Sequence, residues 1–333
     1  MRAYVVSEAN GQLVCGLRDV EPARTDESDV LIKVEYSSVN FKDTMVASVP
    51  SRVRRRDTLV GGVDAAGVID NSPDGDLARG TRVAVHGGNL GVGRDGGFAE
   101  FVFAPRRYLS CLPPTISPHD AMVIGTAGFT AMASVLALED RGLAPGALVL
   151  VTGATGGVGS HAVTYLALRG YKPVASTGSP GEAEWLIDRG AVRVIGRSEL
   201  RDRPDRMLGS ELWDGAVDCV GGDTLSQLLR SLRYGATVAA SGVVAGGELA
   251  TTLHPFITRA VALVGVDAVE ATTATRQRVW QALSDVAPRI NFSTLVDRVI
   301  GLEGIANALE DVRAGRTRGR ILVQLDHQSD GAL

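Results

Sequence analysis

The chain has 333 residues and a formal net charge of -4. That length exceeds the usual reach of one hydrophobic core, and that charge gives no broad basic field for nucleic acid or an anionic membrane. Three cysteines far apart (Cys15, Cys111, Cys219) suggest neither a disulfide framework nor a CxxC metal site, and no stretch reads as apolar enough to span a bilayer.

The start, "MRAYVVSEANGQL", lacks the apolar core of a signal peptide, so a cytoplasmic protein is expected. Up to about residue 120 the sequence reads as short strands and tight turns. "DVLIKVEYSSV" (29–39) alternates as a half-buried strand does, and "TRVAVHG" (81–87) and "GFAEFVFAP" (97–105) follow the same logic. A β-barrel or sandwich-like domain is the expectation. "DAMVIGTAGFTAMASVLALEDRG" (120–142) then reads as a helix closed by Gly142. Strands and helices alternate afterwards: "ALVLVTG", "KPVAST", "VRVIG", "GAVDCVG", "ATVAASG" and "VALVGVD" are strands, with helices at 160–169 and 181–189 between the first of them. Repeated βα units predict a parallel, doubly wound sheet. Beyond Asp267 come a helix ("TRQRVWQAL"), a strand ("LVDRVI"), a helix ("EGIANALEDVRAG") and a strand ("GRILVQL"), expected to pack back on the first domain.

The central signal is "ALVLVTGATGGVGSHAV" (147–163), a strand running through a glycine cluster into a helix. Gly153 would make the tight turn, Gly156 would let a phosphate approach the backbone, and Gly159 would let the helix pack closely. Gly157 and Val158, between them, would offer N–H groups at the helix start. The spacing is G-x-x-G-x-x-G rather than G-x-G-x-x-G, so context carries the reading of a dinucleotide site over a merely tight turn. An NAD site usually ends its second strand with an acid for the ribose 2′-OH. Here the strand ends Ser176-Thr177-Gly178-Ser179, which leaves room for a 2′-phosphate, and Arg197 after the next strand supplies charge. NADP(H) is therefore the expected cofactor. The alternative is ordinary turn residues and a surface arginine.

Over its whole length the chain resembles the zinc-independent medium-chain dehydrogenases/reductases, in particular their acrylyl-CoA reductase and quinone oxidoreductase branch. The resemblance rests on "SSVNFKD" (37–43), "GGVDAAGVI" (61–69), "GTAGFTAMASVLALEDRG" (125–142), "VTGATGGVGS" (152–160), "DCVGG" (218–222), "TTLHPFITRAVALVGVDAV" (251–269) and "GRILV" (319–323). It implies an α/β architecture: a GroES-like β domain over 1–122 and 270–333, and an inserted Rossmann doubly wound parallel sheet over 123–269. Zinc members carry a Gly-His-Glu segment where this chain has Gly62-Val63-Asp64, so no metal is expected. The scattered histidines (His86, His119, His161, His254, His327) are read as structural or surface.

The chemistry implied by the resemblance is zinc-free hydride transfer from NADPH to the β-carbon of an α,β-unsaturated acyl-CoA. A quinone or enone reductase and a non-catalytic NADP(H)-binding protein are the rival readings. The resemblance places Asn40, Phe41 and Asp43 beside the reacting atoms. Asn40 would be donor or acceptor to a ribose hydroxyl or substrate carbonyl, and Asp43 would fix the loop rather than exchange protons. Phe41 replaces the usual tyrosine, and Ser179 the usual arginine. Thr126 and Thr130 are expected near the nicotinamide, with helix N-capping as the alternative role for Thr126. Val243, Ile257, Ala268 and Arg320 match further cofactor-facing positions. The arginines at 52 and 54–56 would meet the phosphates of a CoA ester or form a solvated surface. Cys219 is read as buried and inert. A small-molecule substrate and a homodimer joined along the edge strand "VALVGVD" complete the expectations, with no nucleic-acid or membrane partner.

Overall fold

The computed structural model describes residues 1–201 and 207–326; His327 lies outside them. In chain order the strands and helices are β1 (Arg2–Ala9), β2 (Gln12–Asp19), β3 (Val30–Val39), α1 (Phe41–Val46), β4 (Thr58–Val60), β5 (Asp64–Asn71), β6 (Arg82–His86), β7 (Phe101–Ala104), β8 (Leu109–Cys111) and α2 (Pro118–Glu139). Then follow β9 (Leu148–Val151), α3 (Gly157–Leu168), β10 (Lys172–Thr177), α4 (Ala183–Ile187), β11 (Arg193–Gly196), β12 (Trp213–Asp218), α5 (Gly222–Arg230), β13 (Leu232–Ala240), α6 (His254–Arg259) and β14 (Ala262–Gly265). The last are α7 (Thr273–Val286), β15 (Val296–Ile300), α8 (Ile305–Arg313) and β16 (Arg320–Gln324). Two compact units form: Met1–Thr126 with the chain from Ala268 onward, and Ala127–Asp267.

In the first unit β2-β1-β4 make a small sheet, and β15-β16-β3-β5-β6-β8 a larger one to which β7 adds by pairing with β3. The alternation read in β3 is real: Val30, Ile32 and Val34 are buried while Leu31 and Lys33 are not fully so. They pack with Ile69, Val83, Phe98, Ile305, Leu309 and Val323. Each such side chain contributes about 1.5–3 kcal/mol on leaving water. Register decides the chemistry. Pairing Ser37 with Ala65 and Val39 with Ile321 brings Ser38, Asp64 and Arg320 to one end of β16-β3-β5.

The second unit is a parallel sheet in the order β11-β10-β9-β12-β13-β14. β9 is central and reads as a continuous apolar run because both faces are covered; Val149, Leu150 and Val151 have no exposed surface. Chain order reverses beside β9, and in such sheets ligands bind outside the carboxyl ends of the strands at that point.

One expectation needs correcting. α2, with 22 residues, is long and apolar enough by length and composition to cross a membrane. Most of its apolar stretch is buried in the protein, and Gly125 interrupts it at φ 48, ψ -159. A core helix passes the same compositional test as a membrane span.

Candidate active site

The first unit gathers its polar residues around a buried carboxylate. Asp64 Oδ1 accepts from Ser38 N (3.2 Å) and Ser38 Oγ (2.6 Å); Oδ2 accepts from Asn40 Nδ2, Thr126 N and Thr126 Oγ1, each at 2.9 Å. Arg320 donates from Nη2 to Ser38 Oγ (2.6 Å) and from Nε to the Val123 carbonyl (3.2 Å), with Nη2 3.9 Å from Asp64 Oδ2. Asp64, Ser38, Asn40 and Arg320 are all buried. A buried charge persists only with partners of this kind. Gly125 makes room for them. A Cβ there would lie 2.8 Å from Arg320 Nη2 and 2.9 Å from Asp64 Oδ2, and its positive φ excludes most side chains in any case.

Asn40 opens α1. Its backbone N–H donates to Asp43 Oδ2 (2.8 Å), and Val63 N donates to Asp43 Oδ1 (3.0 Å). Burial, and then the nearby Asp64 charge, push the Asp43 carboxyl up to about 7. The expected loop-fixing hydrogen bonds of Asp43 are therefore present. Asn40 differs from expectation, because its Nδ2 is engaged by Asp64 and by the Ser38 carbonyl (3.1 Å). Oδ1 takes the Asp43 N–H in a capping box and keeps one lone pair, so Asn40 can accept from a hydroxyl but cannot donate to a carbonyl. The helix-capping alternative for Thr126 does not hold: its hydroxyl and its N–H at the restart of α2 both donate to Asp64 Oδ2. Phe41 is half-buried at the first turn of α1. Arg320 is buried and bonded within the unit, where it holds Ser38 and the Val123 carbonyl.

A second buried arginine was not foreseen. Arg276 donates to the carbonyls of Ala268 (3.2 Å), Val269 (3.0 Å) and Ala271 (3.2 Å), and its Nη1 lies 3.2 Å from His86 Nε2. Burial and this cation hold His86 down to about 3, in the neutral form. Ala268 is buried with its carbonyl engaged by Arg276. A sequence signal existed. Arg276 sits at helical spacing with Val279, Trp280 and Leu283 on the buried face of α7.

In the second unit β9 ends in Thr152, whose hydroxyl donates to Asp218 Oδ1 (2.6 Å) and accepts from Cys219 N (3.0 Å). Asp218 Oδ2 accepts from Gly221 N (2.8 Å), tying the ends of β9 and β12 together. Gly153 turns the chain at φ 59, and Gly156 caps α3. Gly159 is obligatory: a Cβ would lie 2.3 Å from the Gly153 carbonyl oxygen. The helix thus packs on the turn itself, with the N–H groups of Gly157, Val158 and Gly159 in the first turn, where a helix has no internal partners for them. This strand, turn and helix start fit a pyrophosphate.

Ser176 and Thr177 are 3% exposed, and Thr177 Oγ1 accepts from Ser179 N (3.0 Å). Both are held inside the loop. Gly178 is exposed, Ser179 half-buried and Arg197 exposed. Thr130 is buried in α2. Val243 and Ile257 are 52% and 73% exposed, an exposure that does not by itself bring them to a cofactor. Cys219 is buried, and burial pushes its thiol up. In the arginine run, Arg54 is bonded to the Val46 and Ser48 carbonyls and to Glu8, and Arg56 lies 3.6 Å from Asp95. Arg52 and Arg55 are exposed. Among the described residues no three His, Cys, Asp or Glu side chains converge as a metal site would need.

Two family models match: the alcohol dehydrogenase GroES-like domain over residues 26–114, and the zinc-binding dehydrogenase domain over 157–285. Acrylyl-CoA reductase AcuI of Ruegeria pomeroyi is 37% identical over 320 residues, covering 96% of this chain and 97% of that protein. YhfP of Bacillus subtilis, to which a quinone oxidoreductase activity is provisionally ascribed, is 44% identical over 297 residues, 89% of this chain and 90% of its own. Its crystal structure, with NAD bound, matches 97% of this chain and 99% of that one at TM-score 0.93. The Escherichia coli YhdH structure with bound NADPH, 35% identical, matches 97% of this chain and all of that one at TM-score 0.92. The chain belongs to the zinc-independent branch of the medium-chain dehydrogenases/reductases, with a GroES-like domain and a Rossmann-type parallel sheet.

Proposed function

We propose that the protein is an NADPH-dependent oxidoreductase that reduces the C=C bond of an α,β-unsaturated acyl-CoA. The observation that supports it most is the whole-length likeness to acrylyl-CoA reductase AcuI. NADPH, when bound, supplies a hydride to the β-carbon, and a proton at the α-carbon completes the reduction. The β9–α3 turn holds the pyrophosphate through the first-turn N–H groups of Gly157, Val158 and Gly159. Asn40, with Nδ2 held by Asp64, presents Oδ1 as acceptor for a ribose hydroxyl. Asp64, Ser38 and Arg320 keep Asn40 and Thr126 in place, so the loop carrying Phe41 offers an apolar wall on a rigid base. Of the arginine run, Arg52 and Arg55 are the pair exposed for CoA phosphates.

A second reading, reduction of a quinone or free enone, is favoured by the 44% identity to YhfP and by the internal bonding of Arg54. The two separate in one assay: oxidation of NADPH, followed by its near-ultraviolet absorbance, with acrylyl-CoA and with a simple quinone. Turnover of the thioester supports the first reading; turnover of the quinone alone overturns it. A homodimer joined along β14 is part of the proposal. It rests on the edge position of that strand and on the exposed apolar Leu253, just before α6, and Ile257 on it. Light scattering of the eluting protein tests it, and a monomer mass overturns it.

A further inference from the structure

The first unit holds a cavity of about 790 Å³ whose walls are residues 105–113, which include β8, and one face of α7. Cavities of roughly 300–1,000 Å³ suit small organic molecules. β8 stands at the end of the larger sheet, so the cavity opens along a sheet edge. On α7 the wall is made by Arg276, Trp280 and Ser284, four residues apart and therefore on one face of the helix.

Two properties of these walls point to a ligand. The first is charge. Arg106, Arg107 and Arg276 all line the cavity, and none of the described lining residues is acidic. Asp76, outside the lining, accepts from Arg106 Nε (2.7 Å). Arg107 is exposed, with its guanidinium 4.7 Å from the centroid of the Tyr108 ring; the Tyr108 hydroxyl donates to Glu270 (2.8 Å), also outside the lining. The second is a donor without an acceptor. Trp280 is 7% exposed, and among the described residues its Nε1 has no hydrogen-bond partner. A buried indole N–H usually finds one, and an oxygen of a molecule in the cavity would serve.

We propose that the cavity between β8 and α7 binds an organic anion: a carboxylate, sulfonate or phosphate carried on an apolar or aromatic body. Arg106 and Arg107 meet the charge, the Trp280 indole gives its N–H to an oxygen, and Leu109, Leu112 and Pro113 cover the body. The glycines of the β9–α3 turn take no part, nor do Ser38, Asn40 and Asp64. This is a second site, and it does not depend on which bond the enzyme reduces.

The test uses 8-anilinonaphthalene-1-sulfonate, an aromatic anion whose fluorescence rises on burial. It is titrated into the whole protein with NADPH in saturating excess, so that the dinucleotide turn does not take the dye. Saturable binding of one dye per chain is expected. Arg107→Ala should weaken it about 10-fold, the scale of a charge-assisted contact. Trp280→Phe, which keeps an aromatic ring and removes the N–H, should weaken it about 3-fold. Arg107 is exposed, so its variant reads the site even where Trp280→Phe disturbs the fold. Cys111 locates the dye independently. It lines the cavity and is exposed, whereas Cys15 is half-buried and Cys219 buried. Its reaction with an aromatic disulfide reagent should be the fast phase, missing in Cys111→Ser. Dye at about ten times its dissociation constant should slow that phase about 10-fold. Absence of saturable binding under NADPH, an unprotected Cys111, or an affinity unchanged in Arg107→Ala overturns the proposal.

Discussion

The two clusters solve opposite problems. Around Asp64 the first unit buries charge and must satisfy it with donors from β3, α1, α2 and β16, residues far apart in sequence. At the β9–α3 turn the second unit keeps donors free, and the means is the absence of side chains at Gly153, Gly156 and Gly159. One site is rigid because its polar atoms are saturated; the other is receptive because its backbone is bare. Removing a group should therefore damage the first, and adding one should damage the second.

The largest expected effect is on the saturated side. Asp64→Ala leaves Arg320 buried without its acid and strips the acceptor from Ser38, Asn40 and Thr126; a loss of about 3–5 kcal/mol is expected in denaturant unfolding. A loss below about 1 kcal/mol would mean the cluster is not the clamp described. On the receptive side, Gly159→Ala forces a Cβ against the Gly153 carbonyl and should cost about 1–3 kcal/mol, with weakened NADPH binding measured by titration. Unchanged affinity would detach the turn from the cofactor.

A pH series sharpens the first half of the comparison. Asp43 titrates from an ordinary 3.8 up to about 7 in the fold, so its contribution to stability is present below pH 3.8 and is lost as pH rises through about 7. His86, lowered from 6.5 to about 3, does the reverse: its contribution is present above pH 6.5 and is lost as pH falls toward 3. The two slopes oppose each other between about pH 4 and 6.5. Asp43→Asn should unmask the His86 slope, making stability rise with pH more steeply by up to about 1.4 kcal/mol per pH unit. An unaltered slope would remove Asp43 from the account. The smallest effect is expected for Arg52→Ala with Arg55→Ala. Stability should change by less than about 0.5 kcal/mol, as surface substitutions usually do, while KM for the acyl-CoA rises and KM for a free enone holds. If both KM values hold, the CoA phosphates bind elsewhere.

The strands of the second unit were legible because a parallel sheet writes them as short apolar runs closed by glycine, and β9 through β14 follow that pattern. β2 was not, since its side chains are mostly exposed and show no buried alternation, and β4 has only three residues. The glycine turn could be read because its geometry is local. The Asp64 cluster could not, because strand register assembles it. Yet Asp64 stands alone among apolar residues in "GGVDAAGVI", and a carboxylate buried in such a run requires partners. Asn40 shows the limit of reading from residue type: the amide carries a donor and an acceptor, and only its neighbours decide which is left over.

Arg276 carries a consequence for sequence variation. One guanidinium satisfies the carbonyls of residues 268, 269 and 271, a segment with no helix or strand of its own. Backbone that is anchored this way does not depend on the side chains along it. Substitutions at Ala271 should therefore be tolerated well in a library of variants, while position 276 accepts arginine alone.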